Sequence, residues 1–235
     1  RHLQNAGHEA YLVGGCVRDE LRKVEPQDYD IASSAHPNEV EKLFTKTVGV
    51  GKQFGVMLVI EKDHQFEVAT FRSDAEYVDG RRPTSVTFSD AKADANRRVF
   101  TINGLFLDPI TDTLHDWVGG QADLVAKQLR TIGKPKERFG EDHLRLLRAV
   151  RFAAQLDFEI EPETFDAARE LAEKIRAVSA ERIRDELLKL FCPPHAVRGL
   201  DLLRDSGLMA HILPELLPTI NCDQSPDYHP EGTVY

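Results

Sequence analysis

Asp28 and Asp30 are separated by one residue in DYDIA, a segment that reads as a strand over Asp28–Ala32. Side chains alternate across a strand, so i and i+2 share a face, with Cα atoms roughly 6.5 Å apart. Two carboxylates so placed can converge on divalent cations. Mg2+ takes hard oxygen ligands, and in phosphoryl enzymes it is usually held by one or two carboxylates plus substrate phosphates. Two such ions roughly 4 Å apart activate an attacking hydroxyl and stabilise a leaving pyrophosphate. For a lone Asp-x-Asp, a solvated strand end is the better account. The residues before this one change the balance. AYLVGG (Ala10–Gly15) reads as a buried strand ending in Gly14-Gly15, and Arg18 follows in the first turn of a helix read over CVRDELRK. Glycine lets backbone N–H groups approach a phosphate, a helix N-terminus carries partial positive charge, and arginine adds a donor fork. A double glycine alone is more often a turn; strand, GG, Arg, then strand and Asp-x-Asp is far more specific.

The elements that must position these groups form two halves. The first alternates short apolar runs with polar helical stretches, the mark of a mixed α/β unit. His36–Phe44, with Pro37 in its first turn, reads as a helix. GVMLVIEK and QFEVATFR, joined across Asp63-His64, read as a hairpin that puts Glu67 on a strand near the aspartates. Ser73–Asp90 reads as a long mobile loop, a feature often functional in compact domains. From Glu137 onward helical periodicity dominates: ERFGEDHLRLLRAVRFAAQL, ETFDAARELAEKIR, AERIRDELLKLF and AVRGLDLLRDSG. Ser179 is positioned to cap the third, although Arg182 stands where a capping box wants Glu or Gln. Gly133-Lys134-Pro135 marks a domain boundary. The reading is therefore residues 1–133, a helical segment 134–205, and 206–235 as the start of a further body or linker. The chain opens on Arg1 and ends in HPEGTVY, so both ends read as cut.

Across 235 residues the formal net charge is −9, which as a global sum argues weakly against an RNA partner. Positive charge nevertheless clusters between Lys127 and Arg151, where Lys127, Arg130, Lys134, Lys136, Arg138, Arg145, Arg148 and Arg151 meet only Glu137, Glu141 and Asp142. The three cysteines, Cys16, Cys192 and Cys222, form neither a disulfide framework nor a zinc set. No apolar run reaches the length of a membrane span, so the expectation is a cytoplasmic protein without a membrane partner.

LVGGCVRDEL followed by DYDIA resembles the opening motif of the class II tRNA nucleotidyltransferase and bacterial poly(A) polymerase family, part of the polymerase-β-like superfamily. The resemblance continues, in order and spacing, through FEVATFR, DGRRP, RRVFTIN, GGQADL, RTIGKPKERFGEDHLRLLRAVRF and SAERIRDELLKL. It implies an α+β fold: a nucleotidyltransferase head with a mixed sheet and helices, then an all-helical neck and the start of a body. It implies template-independent addition of C and/or A from CTP and ATP to a tRNA 3′ end. An A-adding enzyme or poly(A) polymerase is the alternative within that chemistry; a non-catalytic RNA-binding module is the alternative outside it. In the family's terms Asp28 and Asp30 bind Mg2+, and Gly14, Gly15 and Arg18 hold the triphosphate. Glu67 is a candidate third carboxylate, with an exposed strand glutamate an equally good account.

Asp142 and Arg145 stand i and i+3 at the opening of the long helix, so they project together. An ordinary surface ion pair would be worth about 1 kcal/mol or less. Base chemistry offers more. Adenine and cytosine each present an amino donor beside a ring-nitrogen acceptor, which a carboxylate next to a guanidinium matches. Guanine and uracil present the reverse polarity, and a misplaced base leaves groups unpaired. The resemblance implies this role, and it places Arg148 and Arg151 at the nucleotide as well. Leu144, Leu147, Val150 and Phe152 read as core.

One departure stands out. Family members carry Arg-Arg-Asp-Phe-Thr-apolar-Asn where this chain has Arg97-Arg98-Val99-Phe100-Thr101-Ile102-Asn103. The aspartate associated with ribose recognition is Val99, while Arg98 and Asn103 remain candidate nucleotide contacts. The length of Ser73–Asp90 matches members that add the terminal adenosine, and DGRRP is closer to the tRNA-repair branch. YHPEGTVY resembles a linker leading into a phosphohydrolase-type domain in some members, although a solvated tail is the better account of the residues present.

Overall fold

Val13 ends a strand because Gly14 follows it with φ 78° and ψ −133°, a backbone state that L side chains avoid. The computed structural model describes residues 1–62, 64–74, 85–225 and 227–228. It forms two compact units, Arg1–Glu141 and Asp142–Tyr235.

The first unit is built on a seven-stranded mixed sheet. Helix α1 (His2–Asn5) precedes β1 (Ala10–Val13), α2 (Gly15–Leu21), β2 (Asp30–Ser33), α3 (Pro37–Leu43), β3 (Thr47–Gly51), β4 (Val56–Glu61) and β5 (His64–Thr70). There follow β6 (Arg72–Asp74), β7 (Val86–Phe88), α4 (Ala91–Arg97), β8 (Phe106–Asp108), β9 (Thr113–His115), α5 (Gly120–Ala126) and α6 (Pro135–Glu141). The sheet order is β3-β4-β5-β2-β1-β8-β9, so β1 and β2 lie near its middle. They pair antiparallel with Val13 opposite Asp30, and β2 runs parallel to β5 with Asp30 opposite Glu67. Apolar side chains from both sheet faces build the core: Met57, Val59 and Val68 pack with Val40 on one cluster, Phe71, Phe106 and Ala95 on another. Asp116 accepts from the backbone N–H groups of Val118, Gly119, Gly120 and Gln121 and so organises the start of α5.

Several sequence expectations need adjusting. The second strand starts at Asp30, two residues later than read, because its ladder with β1 ends where Gly14 turns the chain away; Asp28 lies before it. The hairpin of β4 and β5 forms as expected, with Glu61 opposite His64. The described ends of Ser73–Asp90 are not plain loop, and residues 75–84 lie outside the described residues. Arg72–Asp74 pairs antiparallel with Val86–Phe88, and the Asp90 carboxylate caps α4 by accepting from Ala93 N–H. DGRRP lies outside the described residues. Strands β3, β8 and β9 were not anticipated.

The second unit is helical: α7 (Leu144–Leu156), α8 (Pro162–Glu170), a 3-10 turn Ala172–Ala177, α9 (Ala180–Leu190), α10 (Ala196–Asp205) and α11 (Met209–Ile212). The helix expected through ERFGEDHLRLL is interrupted at Asp142-His143, where the Asp142 carboxylate accepts from Leu144 N–H. Leu144, Leu147 and Val150 are buried as expected; Phe152 is half-buried and carries the Arg151 guanidinium over its ring at 4.0 Å. Gly199 lets α10 meet α9 closely, since a Cβ there would stand 2.7 Å from Leu190 Cδ1. Ser179 is the residue before α9, but its side chain makes no capping hydrogen bond.

Candidate active site

The central strands bring the first group of candidate residues to one end of the sheet. A Cβ at Gly14 would lie 3.6 Å from Asp30 Oδ2 and 3.3 Å from Arg98 Nη1, so the turn, the carboxylate and the guanidinium share one mouth. Burial pushes the Asp30 carboxyl up to about 6; the Glu67 and Asp28 charges add to this, and the Arg98 guanidinium opposes it. Glu67 is exposed on β5 as the ladder partner of Asp30. Asp28 is exposed and outside the ladder, so strand alternation does not place it; its charge nonetheless acts on Asp30. Asp30 thus feels two neighbouring carboxylate charges, and the donors offered are oxygens only. That set suits a hard divalent cation. Among the described residues no three or more His, Cys, Asp or Glu side chains come together as a ligand cage, so further ligands would have to be water or phosphate.

Two arginines flank the mouth, and Asn103 joins them. Arg18 Nη1 donates to Asn103 Oδ1 at 2.9 Å, while Arg98 Nη1 reaches the Asn103 carbonyl at 3.4 Å. Arg18 is buried, its Nε and Nη2 held by the Asp19 carboxylate at 2.9 and 2.7 Å. A Cβ at Gly15 would lie 3.6 Å from Arg18 Nη2. The fixed guanidinium forks and side-chain-free turn make a site for a polyanion. Val99, next to Arg98, is half-buried, and its carbonyl accepts from Ile132 N–H at 2.8 Å; its side chain offers nothing to a hydroxyl.

The remaining candidates belong to the second unit. Asp142 and Arg145 are both buried, but Asp142 pairs with Arg182 of α9. Arg182 Nη1 and Nη2 meet the two carboxylate oxygens at 3.2 and 2.7 Å. Arg151 Nε pairs with Glu186 at 2.5 Å and its Nη1 with Gln155 at 2.8 Å; Arg148 Nε lies 3.7 Å from Glu186. Glu186 thus braces Arg148 and Arg151 of α7, while Arg182, one turn earlier on α9, braces Asp142.

Asp19, Arg182 and Glu186, and also Asp94, which pairs with Arg97 and Arg98, escaped the sequence reading as partners. Asp94 stands i−3 and i−4 to Arg97 and Arg98, and Arg182 and Glu186 are i and i+4. Those spacings were visible, but the same spacings occur on any solvated helix face.

Comparison with known proteins bears on this arrangement. The poly A polymerase head domain family matches residues 10–130, and the family described as a probable RNA and SrmB-binding site of polymerase A matches 157–219. The chain is 45% identical over 207 residues to the CCA-adding enzyme of Levilactobacillus brevis, covering 88% of this chain and 52% of that one. Its structure is similar to the Bacillus stearothermophilus CCA-adding enzyme in complex with CTP, with a TM-score of 0.82 and 39% identity over 90% of this chain and 51% of the other. It also resembles the Thermotoga maritima CCA-adding enzyme complexed with tRNA, with a TM-score of 0.74 and 25% identity over 91% and 50% of the two chains. The chain spans about half the length of the curated relatives it matches.

Proposed function

The chain belongs to the poly A polymerase head domain family, and from that membership we propose that it is a template-independent RNA nucleotidyltransferase that adds C and/or A from CTP and ATP to a tRNA 3′ end. The observation that carries the reading is the shared mouth at Gly14, where the Asp30 carboxylate and the Arg98 guanidinium meet a turn without a side chain. The named relatives, CCA-adding enzymes with CTP or tRNA bound, support the choice of substrates. In this reading residues 1–133 are the head, 134–205 the neck that reads base and RNA, and 206–235 the start of a body. The setting is cytoplasmic; no helix among the described residues is long and apolar enough to cross a membrane.

The reaction is in-line attack of the RNA 3′-hydroxyl on the α-phosphate, with pyrophosphate leaving. Asp28 and Asp30, with Glu67 beside them, would hold Mg2+, which when bound supplies hydroxyl activation and neutralisation of developing charge. Gly14, Gly15, Arg18, Arg98 and Asn103 hold the triphosphate by backbone approach and fixed donor forks. Asp142 and Arg145 read the amino-plus-acceptor edge of C or A, with Arg148 and Arg151 extending the contact.

The deciding assay offers tRNA lacking CCA, or ending in CC, with each nucleotide separately. Wild type is expected to extend the end lacking CCA with CTP and the end carrying CC with ATP, and Asp28→Ala to extend neither. Addition of A alone, or of long A tracts, would move the assignment to an A-adding enzyme or poly(A) polymerase. Equal, negligible incorporation by wild type and Asp28→Ala would leave RNA binding without catalysis.

Val99 adds a second expectation. A charge-assisted hydrogen bond to a ribose hydroxyl is worth roughly 1.5–3 kcal/mol, and valine cannot make it. Val99→Asp should therefore raise the ATP-over-dATP ratio of kcat/KM by about 10-fold or more. An unchanged ratio would show that the ribose is read elsewhere.

A further inference from the structure

Arg98 is held from one side by a residue with no part in the chemistry above. Asp94, on α4, is 1% exposed and uses both carboxylate oxygens. Its Oδ1 accepts from Arg97 Nε at 2.8 Å and from the Arg72 backbone N–H at 3.3 Å. Its Oδ2 accepts from Arg98 Nε at 3.3 Å and Nη2 at 3.1 Å. The Phe106 ring lies 5.0 Å from Arg98 Cζ, and the Asn103 carbonyl takes Nη1. The outer nitrogen, Nη1, is the one that faces Gly14. Burial lowers the Arg98 pKa and the Asp94 charge opposes that loss.

Asp30 is a rival counter-charge in the same mouth. Its carboxyl is stabilised in ionised form by Arg98. A guanidinium with no other anchor would be drawn onto Asp30, closing the mouth and neutralising the carboxylate that the chemistry needs. With Nε and Nη2 tied to Asp94, the guanidinium plane is fixed and only Nη1 projects forward.

We propose that Asp94 is a positioning residue for triphosphate binding, aiming Arg98 at the Gly14–Asp30 mouth and keeping it off Asp30. The inference rests on reading that mouth as the triphosphate site. A carboxylate that merely neutralised buried arginines would affect stability without being coupled to nucleotide affinity through Arg98 in particular.

A double-mutant cycle on the full chain tests this, with calorimetric binding of a non-hydrolysable CTP analogue, and displacement by inorganic tripolyphosphate, as readouts. Asp94→Asn and Arg98→Gln are each expected to weaken binding by about 10-fold. The double variant should be no weaker than Arg98→Gln alone to within about 2-fold, the mark of residues acting as one unit. Arg97→Gln, which shares the same carboxylate, should stay within about 2-fold of wild type. Asp94→Glu keeps the charge but displaces it, and should cost about 3-fold in a variant that still unfolds cooperatively; it carries the test if Asp94→Asn does not fold. Wild-type affinity in Asp94→Asn or Asp94→Glu, or effects that multiply in the double variant, overturns the proposal. Wild-type affinity in Arg98→Gln would instead remove the triphosphate reading of the mouth itself.

Discussion

Replacing Asp30 by asparagine is expected to lower nucleotide incorporation by roughly 10²–10³-fold while raising the melting temperature of the cation-free protein above pH 6. The Asp30 carboxyl titrates at about 6 in the folded chain, against 3.8 for a free side chain. Between those values the folded state keeps a proton that the unfolded state has released, so stability falls as pH rises through the window. Above it, the native protein bears the whole cost of an ionised, half-buried carboxylate beside Glu67 and Asp28. Asparagine keeps the shape and removes the charge. Below pH 3.8 wild type and variant should melt alike, since both are then neutral at this position. Added Mg2+ should stabilise wild type by linkage and the variant far less. Melting curves from pH 3 to 8, with and without Mg2+, check both halves. A variant that melts below wild type at pH 8 without cations, or gains as much from Mg2+, would contradict the crowded-carboxylate account.

What the sequence disclosed and withheld follows from the range of the interactions. Gly14, Gly15 and Arg18 were legible because a tight turn and the first turn of a helix are local chemistry written in adjacent residues. Asp30 and Glu67 were legible because apolar patterning marks their strands, and parallel pairing then sets them side by side. Asp-Tyr-Asp alternates as a strand should, but the limit of the ladder is set by Gly14, just past the end of another strand, which no local pattern reports. Strand β3 carries Thr47, Val48 and Val50, but its glycines at 49 and 51 break the pattern that announces a strand, and β8 and β9 are three residues each. The helix period ran unbroken through Glu141–Arg145, yet a carboxylate that can bond the N–H two residues on competes with helix continuation there. Arg182 and Asp142 are 40 residues apart, and no spacing rule joins them. The motif order carried the family, whereas the ion pairs that hold the motifs had to come from the fold.

Asp142 is where the other large effect is expected, and its hydrogen-bond inventory says why. A carboxylate offers about four acceptor positions, two on each oxygen. Oδ1 takes Arg182 Nη1 at 3.2 Å and Leu144 N–H at 3.1 Å, which fills it. Oδ2 takes Arg182 Nη2 at 2.7 Å and keeps one position. A site with one remaining acceptor and no donor of its own accepts one amino proton, the feature cytosine and adenine share. A carbonyl placed there, as guanine or uracil would place it, meets oxygen against oxygen. Asp142→Asn replaces that fixed acceptor with an amide that can turn either face outward, and it removes the charge that orients Arg182. The preference for CTP and ATP over GTP and UTP, taken as a ratio of kcat/KM, should fall by roughly 10²-fold or more. Most of the fall should come from slower addition of the correct nucleotides, since the amide still faces Arg182 and is oriented less firmly. Single-nucleotide competition on tRNA ending in CC reads the ratio directly. If the asparagine variant discriminates among the four nucleotides to the same degree as wild type, polarity matching at Asp142 is not the discriminating step, and selection must come from the shape of the pocket instead.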